Sequence, residues 1–152
     1  MKPTKHIALS GAVGAGIYWW TQSWPAALAC LAAGVLIDLD HFLDFYLARG
    51  RLPVSYDDLV RYGDLDKKGK LYLVLHGYEQ MVVLWLCIYY FHLDAVWVGA
   101  ALSMSVHLLC DQIANPFRVM GYFFTYRWYN RFERRRIFTP AYLQQYFDSL
   151  EF

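Results

Sequence analysis

Four long apolar stretches, separated by polar ones, dominate the hydrophobic pattern of the chain. They cover residues 4–20, 24–48, 71–91 and 95–113, and the pattern predicts a helix for each. The third stretch has about 20 residues, which is the length that a helix needs to cross the hydrocarbon core of a bilayer. It is therefore the best transmembrane candidate, and the pattern as a whole favours a bundle of four helices.

Two polar regions complete the pattern. The loop at 49–70 is long enough to hold a short helix at 56–62 or to act as a lid over a site. The tail from residue 117 interleaves aromatic and basic residues, a composition that suits an interfacial or cytoplasmic segment at an anionic membrane surface, and it ends in a predicted short helix at 140–149. The expected fold is all-α: a four-helix membrane bundle over 1–116, with a polar 49–70 loop, followed by a basic, aromatic helical tail over 117–152.

Composition supports a membrane protein. Apolar residues make up 58% of the 152 residues, aromatic residues 19% and charged residues only 18%, whereas soluble domains are about 45–50% apolar. Gly11, Gly14 and Gly16 in the first stretch permit close helix approach in a bilayer. The three cysteines lie in apolar segments at spacings that predict no disulfide framework.

The distribution of positive charge predicts an orientation. All 14 Lys and Arg residues fall within 2–5, 49–70 and 118–136. If all four stretches cross the membrane, these regions share one face, which the positive-inside rule assigns to the cytoplasm. The prediction is an integral protein of the inner (cytoplasmic) membrane. Its first helix is expected to stay in the protein and not to be cleaved as a signal peptide. A bundle inserted only halfway into the membrane is an open alternative. The long uncharged regions argue against a nucleic-acid-binding protein.

The candidate chemistry lies at the cytoplasmic end of the helices. Three carboxylates and a histidine arrive within residues 38–44, and burying such a group is costly unless the charges are paired or bind a metal. The other stretches bring further ionisable residues to the same level of the membrane. The predicted metal ligands are His6, Asp40, His41, His76, Glu79, His107 and Asp111.

These ligand types suit one or two divalent ions, with Zn the first choice and Mn or Fe as alternatives. Asp38 and Asp44 are the candidates for a catalytic base, but Asp38 could instead orient a ligand and Asp44 could face water. Glu79 has a second interpretation as an ion-pair partner for a lysine of the loop. Lys67, Lys68 and Lys70 are predicted to attract an anionic lipid headgroup or a lipid-linked phosphate. The pattern leaves the oligomeric state open.

The order and spacing of these motifs resemble the LexA-regulated, membrane-bound metal-dependent hydrolase family, itself distantly similar to bacterial zinc-dependent phospholipase C. The likeness covers roughly residues 4–116, through a His on the first helix, an Asp-Leu-Asp-His motif closing the second, a His opening the third and a His-x-x-x-Asp motif on the fourth. Many members carry His-Arg-Gly-x-Thr-His-Ser before helix three, whereas this chain has Leu75-His76-Gly77-Tyr78-Glu79, so that Glu79 could replace a ligand. The matching residues are His6, Asp38, Asp40, His41, His76, His107 and Asp111.

The resemblance and the predicted site together suggest a hydrolase that uses a metal-activated water on a phosphoester. The alternative is a non-catalytic metal-binding or structural membrane protein that recruits a partner through its basic tail. A metal or proton pathway is a third, weaker interpretation because the far half of the bundle offers few polar residues.

Overall fold

The structure is a computed structural model and describes residues 3–55, 57–59 and 69–148. It is mostly helical, and no strand longer than an isolated bridge occurs among the described residues, so the all-α prediction is confirmed. The long helices are α1 (Pro3–Thr21), α2 (Trp24–Leu36), α3 (Asp40–Arg49), α4 (Tyr78–Phe91) and α5 (Ala95–Ala114). The tail adds α6 (Phe124–Tyr129), α7 (Arg134–Ile137) and α8 (Pro140–Asp148).

Helices α2 and α3 form one nearly continuous rod. Ser23 caps the start of α2 by accepting a hydrogen bond from the backbone N–H of Ala26, as expected of an N-cap serine. A 3-10 turn, Ile37–Leu39, joins the two helices, and α3 ends at Gly50 in the left-handed conformation that glycine adopts most readily. The predicted helix at 24–48 is therefore confirmed, with a change of helical pitch where the acidic cluster begins.

Helix α2 packs between α1 and α5, and small residues make this close packing possible. A Cβ added at Gly99 of α5 would lie 2.5 Å from the carbonyl oxygen of Ala26, and one at Gly14 of α1 would lie 3.2 Å from that of Ala27. Of the three glycines predicted to permit close approach, Gly14 does so, whereas Gly11 and Gly16 face open space. The interface places the start of α1 and the end of α5 beside the acidic end of α2.

The third apolar stretch differs from its prediction. Helix α4 begins only at Tyr78, after Gly77 in an extended conformation. Residues 71–77 form no helix, and Leu73 has a positive φ of 38°. The 14 residues of α4 reach about 21 Å at ~1.5 Å per residue, less than the thickness of a bilayer core. The stretch is thus an irregular segment followed by a short helix, not one spanning helix.

The tail packs back onto that irregular segment. The backbone N–H of Leu71 donates to the carbonyl of Phe132, and that of Arg134 donates to the carbonyl of Gly69. The predicted last helix at 140–149 is confirmed as α8. The short helix expected at 56–62 lies largely outside the described residues.

We predict that Gly99→Ala lowers the melting temperature of the detergent-solubilised protein, because the new methyl group meets the rigid backbone of α2. Overpacking of this kind typically costs about 1–3 kcal/mol. Gly16→Ala is the matched control: it meets open space and should leave the protein equally or slightly more stable, because alanine favours helices over glycine. Equal melting temperatures for the two variants would contradict the packing described here.

Candidate metal centre

Four side-chain atoms from three parts of the chain meet in a ring at the acidic end of α2. The Nε2 atom of His107 lies 3.4 Å from Oδ1 of Asp38 and 3.5 Å from Oδ2 of Asp111. The Nε2 atom of His76 lies 3.7 Å and 3.9 Å from the same two oxygens. Ligand atoms about 2.0–2.2 Å from a tetrahedral zinc ion are about 3.3–3.6 Å apart. The two distances from His107 fall in this range and the two from His76 are slightly longer, and the groups compact enough to hold one ion contain three residues each.

Each of these two imidazole rings is oriented by an acceptor at its other nitrogen. Nδ1 of His107 lies 3.0 Å from the carbonyl oxygen of Gly34, and Nδ1 of His76 lies 3.1 Å from Oδ2 of Asp40. Because both partners accept, each Nδ1 carries a proton, and the neutral form of each ring directs a lone pair from Nε2. Both Nε2 atoms are buried without a hydrogen-bond partner. Metal-binding histidines are commonly held in this way.

His6 adds a third buried imidazole. Its ring stacks on that of His107 with centroids 3.8 Å apart, and its Nε2 lies 3.2 Å from Oδ1 of Asp111. The Nδ1 atom of His6 is also buried without a hydrogen-bond partner. Two groups of residues can therefore hold a metal ion: Asp38 with His76 and His107, and His6 with His107 and Asp111. We call these five residues the His–Asp cluster.

The His–Asp cluster is open on one side. Its histidines and Asp111 are buried, but the side chain of Asp38 is 23% exposed and that of His41 is 48% exposed. His41 lies at this edge, with its Nε2 atom 3.8 Å from Oδ1 of Asp38. It therefore lies beside the candidate ligand atoms without joining the closest groups.

Asp38 and Asp40 have exchanged the roles that the sequence predicted for them. Asp38, expected as a base or an orienting residue, belongs to the ring. Asp40, expected as a ligand, accepts hydrogen bonds from three consecutive backbone N–H groups at 74–76, in addition to its contact with Nδ1 of His76. Residues two apart on a helix point in nearly opposite directions at about 100° per residue, so only one of the two carboxylates can face the ring.

The side chain of Asp44 lies on the same helix face as that of Asp40 because residues i and i+4 share a face. It accepts a hydrogen bond from the backbone N–H of Tyr72 and pairs with Arg134 at 3.5 Å. The prediction that Asp44 is a catalytic base is not supported, because its carboxylate binds these groups away from the ring.

Glu79 does not reach the His–Asp cluster. Its two oxygens accept hydrogen bonds from the backbone N–H groups of Phe124 and Thr125 and from the hydroxyl of Thr125. Its predicted role as a ligand is therefore corrected to that of a cap at the start of α6. Of the predicted headgroup-binding lysines, Lys70 is exposed, and the other two, Lys67 and Lys68, lie outside the described residues.

Two arginines of the tail are buried at the site, although the sequence did not predict it. Arg127 donates to the carbonyl oxygens of Leu73, His76 and Gly121 at 2.7–3.0 Å, and Arg134 donates to the carbonyl oxygen of Lys70 at 3.0 Å. Both side chains are almost fully buried, although the composition of the tail suggested a surface segment. Gly34, which orients His107, was also missed because only its backbone takes part.

The electrostatic field of the site favours a cation. The carboxylates of Asp38, Asp40 and Asp111 all lie within 4 Å of a nitrogen of His76. The neighbouring carboxylates thus stabilise positive charge at the position of the ring, whether a proton or a metal ion supplies it.

We predict that the purified protein binds Zn²⁺ and that His107→Ala abolishes this binding, because His107 belongs to both candidate groups. His92→Ala is the control, since His92 follows α4 and lies outside both groups. Metal analysis after gel filtration provides the measurement. A wild-type zinc content no higher than that of His107→Ala would refute the metal centre.

The two aspartates refine the same test. Asp38→Asn replaces the anionic carboxylate of the ring by a neutral amide and should abolish binding, whereas Asp40→Asn should retain it with about 10–100-fold weaker affinity, as is typical for residues that orient a ligand. The reverse order would restore the roles predicted from the sequence.

Comparison with known proteins adds no family assignment, since no family model, curated protein or solved structure matches this chain; the resemblance noted from the motifs stays a prediction.

Proposed function

We propose that this protein is a membrane-embedded, metal-dependent hydrolase of a phosphoester carried by a lipid or a lipid-linked phosphate. The observation that carries the proposal is the pair of buried Nε2 atoms of His76 and His107, which converge on two carboxylates at a site with an open edge. Closed sites suit a structural metal, whereas catalytic sites keep one position accessible.

A bound divalent ion supplies a Lewis acid for the phosphoryl oxygens and lowers the pKa of water. The chain itself contributes orientation. Asp40 and Gly34 fix the two imidazole rings, and His41 stands at the exposed edge, where its Nε2 atom can hydrogen-bond a substrate oxygen. Burial of the remaining cluster residues keeps bulk water away from the ligands.

The membrane location rests on apolar exposure and helix length. The rod Trp24–Arg49 and helix Ala95–Ala114 are long and apolar enough to cross a membrane. Large apolar side chains are exposed on all of the long helices, and a surface of this kind marks an interaction with a membrane or a partner. Among them are Trp20 of α1, Leu28 of α2, Phe42 of α3, Leu86 of α4 and Ile113 of α5.

Aromatic residues support a membrane boundary at the end opposite the site. Trp19, Trp24, Tyr89 and Tyr90 flank the turns after α1 and α4, and all are more than 60% exposed. Tyr and Trp typically mark the level of the headgroups. Those two turns carry no Lys or Arg, so the proposed orientation places them outside and both termini and the site in the cytoplasm.

The surface beside the exposed ligands suggests an amphiphilic substrate. Leu39, Phe42 and Leu75 are each neighbours in sequence of a residue of the site or of His41, and all three are more than 40% exposed. Acyl chains could pack on such side chains while a phosphate approaches Asp38 and His41. A site bordered by both lipid and cytoplasm suits a lipid phosphoester better than a soluble one.

A structural metal protein is the second candidate. It is favoured by an apolar groove of about 560 Å³ lined by Met120, Thr125, Tyr126, Trp128 and Tyr129. The side chains of Trp128 and Tyr129 are 68% and 85% exposed, which suits a surface of the tail that binds a partner. Here the metal would only stabilise the fold.

Thiol labelling tests the proposed orientation, in a variant whose three native cysteines are replaced by alanine. A new cysteine at Gln22 should react with a membrane-impermeant maleimide in intact spheroplasts, because the α1–α2 turn faces outward. A cysteine at Arg51 should react only after lysis. Labelling of Arg51→Cys in intact spheroplasts would refute the orientation, and extraction of the protein by alkaline carbonate would refute membrane embedding.

We predict that the zinc-loaded protein hydrolyses bis(p-nitrophenyl) phosphate and that chelation or His107→Ala lowers the rate about 100-fold or more, since a metal contributes several kcal/mol and each tenfold is about 1.4 kcal/mol. His92→Ala should keep the wild-type rate. Metal binding without hydrolysis of this diester or of phospholipid vesicles would favour the structural candidate.

A further inference from the structure

Residues 70–77, here called the His76 segment, carry a ligand candidate on irregular backbone. A helix satisfies its own N–H and C=O groups, but an extended buried segment must find partners elsewhere. The position of His76 therefore depends on side chains that bind the backbone on either side of it.

On one side the partners are acidic. Asp40 accepts from the three N–H groups at 74–76, and Asp44 accepts from that of Tyr72. Both carboxylates lie on α3, so this contact fixes the His76 segment to the rod that also carries Asp38.

On the other side the partners are basic and come from the tail. The guanidinium of Arg127 donates to the carbonyls of His76 and Leu73, at 3.0 Å and 2.7 Å, and also to the carbonyl of Gly121 in the tail itself. Arg134 binds the carbonyl of Lys70 and pairs with Asp44. We call Arg127 and Arg134 the arginine clamp. A planar guanidinium can bind several carbonyls at fixed angles, which lysine cannot do.

Glu79 connects this arrangement to α4. By capping the start of α6 it holds the short helix that carries Arg127. The negative charge also lies at the positive end of that helix, which stabilises it further.

We propose that Arg127 is a positioning residue for the metal centre and that the tail is part of the site. The clamp holds the carbonyl of His76 while Asp40 holds its N–H and Nδ1, so that Nε2 points into the ring. This inference rests on the metal site of the proposed function, but it does not require hydrolysis. The tail accordingly belongs to the same functional unit as the bundle.

The test uses the full chain in detergent with Co²⁺ as the probe, whose visible absorption reports both occupancy and ligand geometry. Arg127→Gln is expected to bind Co²⁺ about 10–100-fold more weakly, as for other residues that orient ligands, and to change the absorption bands because His76 is displaced. Arg127→Lys should recover the affinity only in part. Arg135→Gln is the matched control from α7: its exposed side chain pairs with Glu133 and should leave Co²⁺ binding unchanged.

Circular dichroism separates positioning from loss of the fold. A folded Arg127→Gln variant with wild-type affinity and absorption would overturn the inference. If Arg127→Gln does not fold, the Glu79→Gln variant tests the positioning role instead. This change loosens α6 without removing a group that touches the His76 segment. Weaker Co²⁺ binding in Glu79→Gln would support the positioning role, and unchanged binding would overturn it. Failure of the wild-type chain to bind Co²⁺ would instead refute the metal centre itself.

Discussion

The arrangement depends on finding hydrogen-bond partners for the backbone of a partly buried segment that is not a helix. Between residues 70 and 77, carboxylates of α3 bind the N–H groups and arginines of the tail bind the carbonyls. Leaving such groups buried without partners costs about 1–3 kcal/mol each. The same contacts place His76 opposite His107, so the stability of the segment and the geometry of the ring have a common origin.

The helices were largely predictable, and so was the meeting of ionisable residues at one end. The limits of α1, α5 and the rod Trp24–Arg49 follow from apolar length, Ser23 and Gly50, which are local signals. The start of α4 was not predictable in this way, because the apolar residues of 71–77 fit a helix and an extended buried segment equally well. Only the partners of the backbone distinguish the two, and they lie far away in the sequence.

The division of roles within Asp-Leu-Asp-His was partly predictable from the sequence. Helical spacing separates Asp38 from Asp40 and groups Asp40 with Asp44, but it does not say which face meets the histidines. That depends on the 3-10 turn Ile37–Leu39 and on the His76 segment lying along α3. Arg127 and Arg134 were missed for a different reason: arginine among aromatic residues has the composition of a membrane-surface segment, and nothing local marks two of the six tail arginines as buried.

The buried arginines also bear on the membrane argument. Arg127 and Arg134 are buried in the fold, and the other twelve of the 14 basic residues stay on the same predicted face. In a bilayer, irregular backbone is tolerated at depth only where protein surrounds it. The 14 residues of α4 fall about 9 Å short of a core about 30 Å thick, and the extended backbone before Tyr78 can cover that distance. In the proposed membrane arrangement, the His76 segment would complete the crossing that α4 begins. The arginine clamp supplies backbone partners to this segment, so that in the proposed orientation the candidate metal centre lies at the cytoplasmic boundary of the membrane.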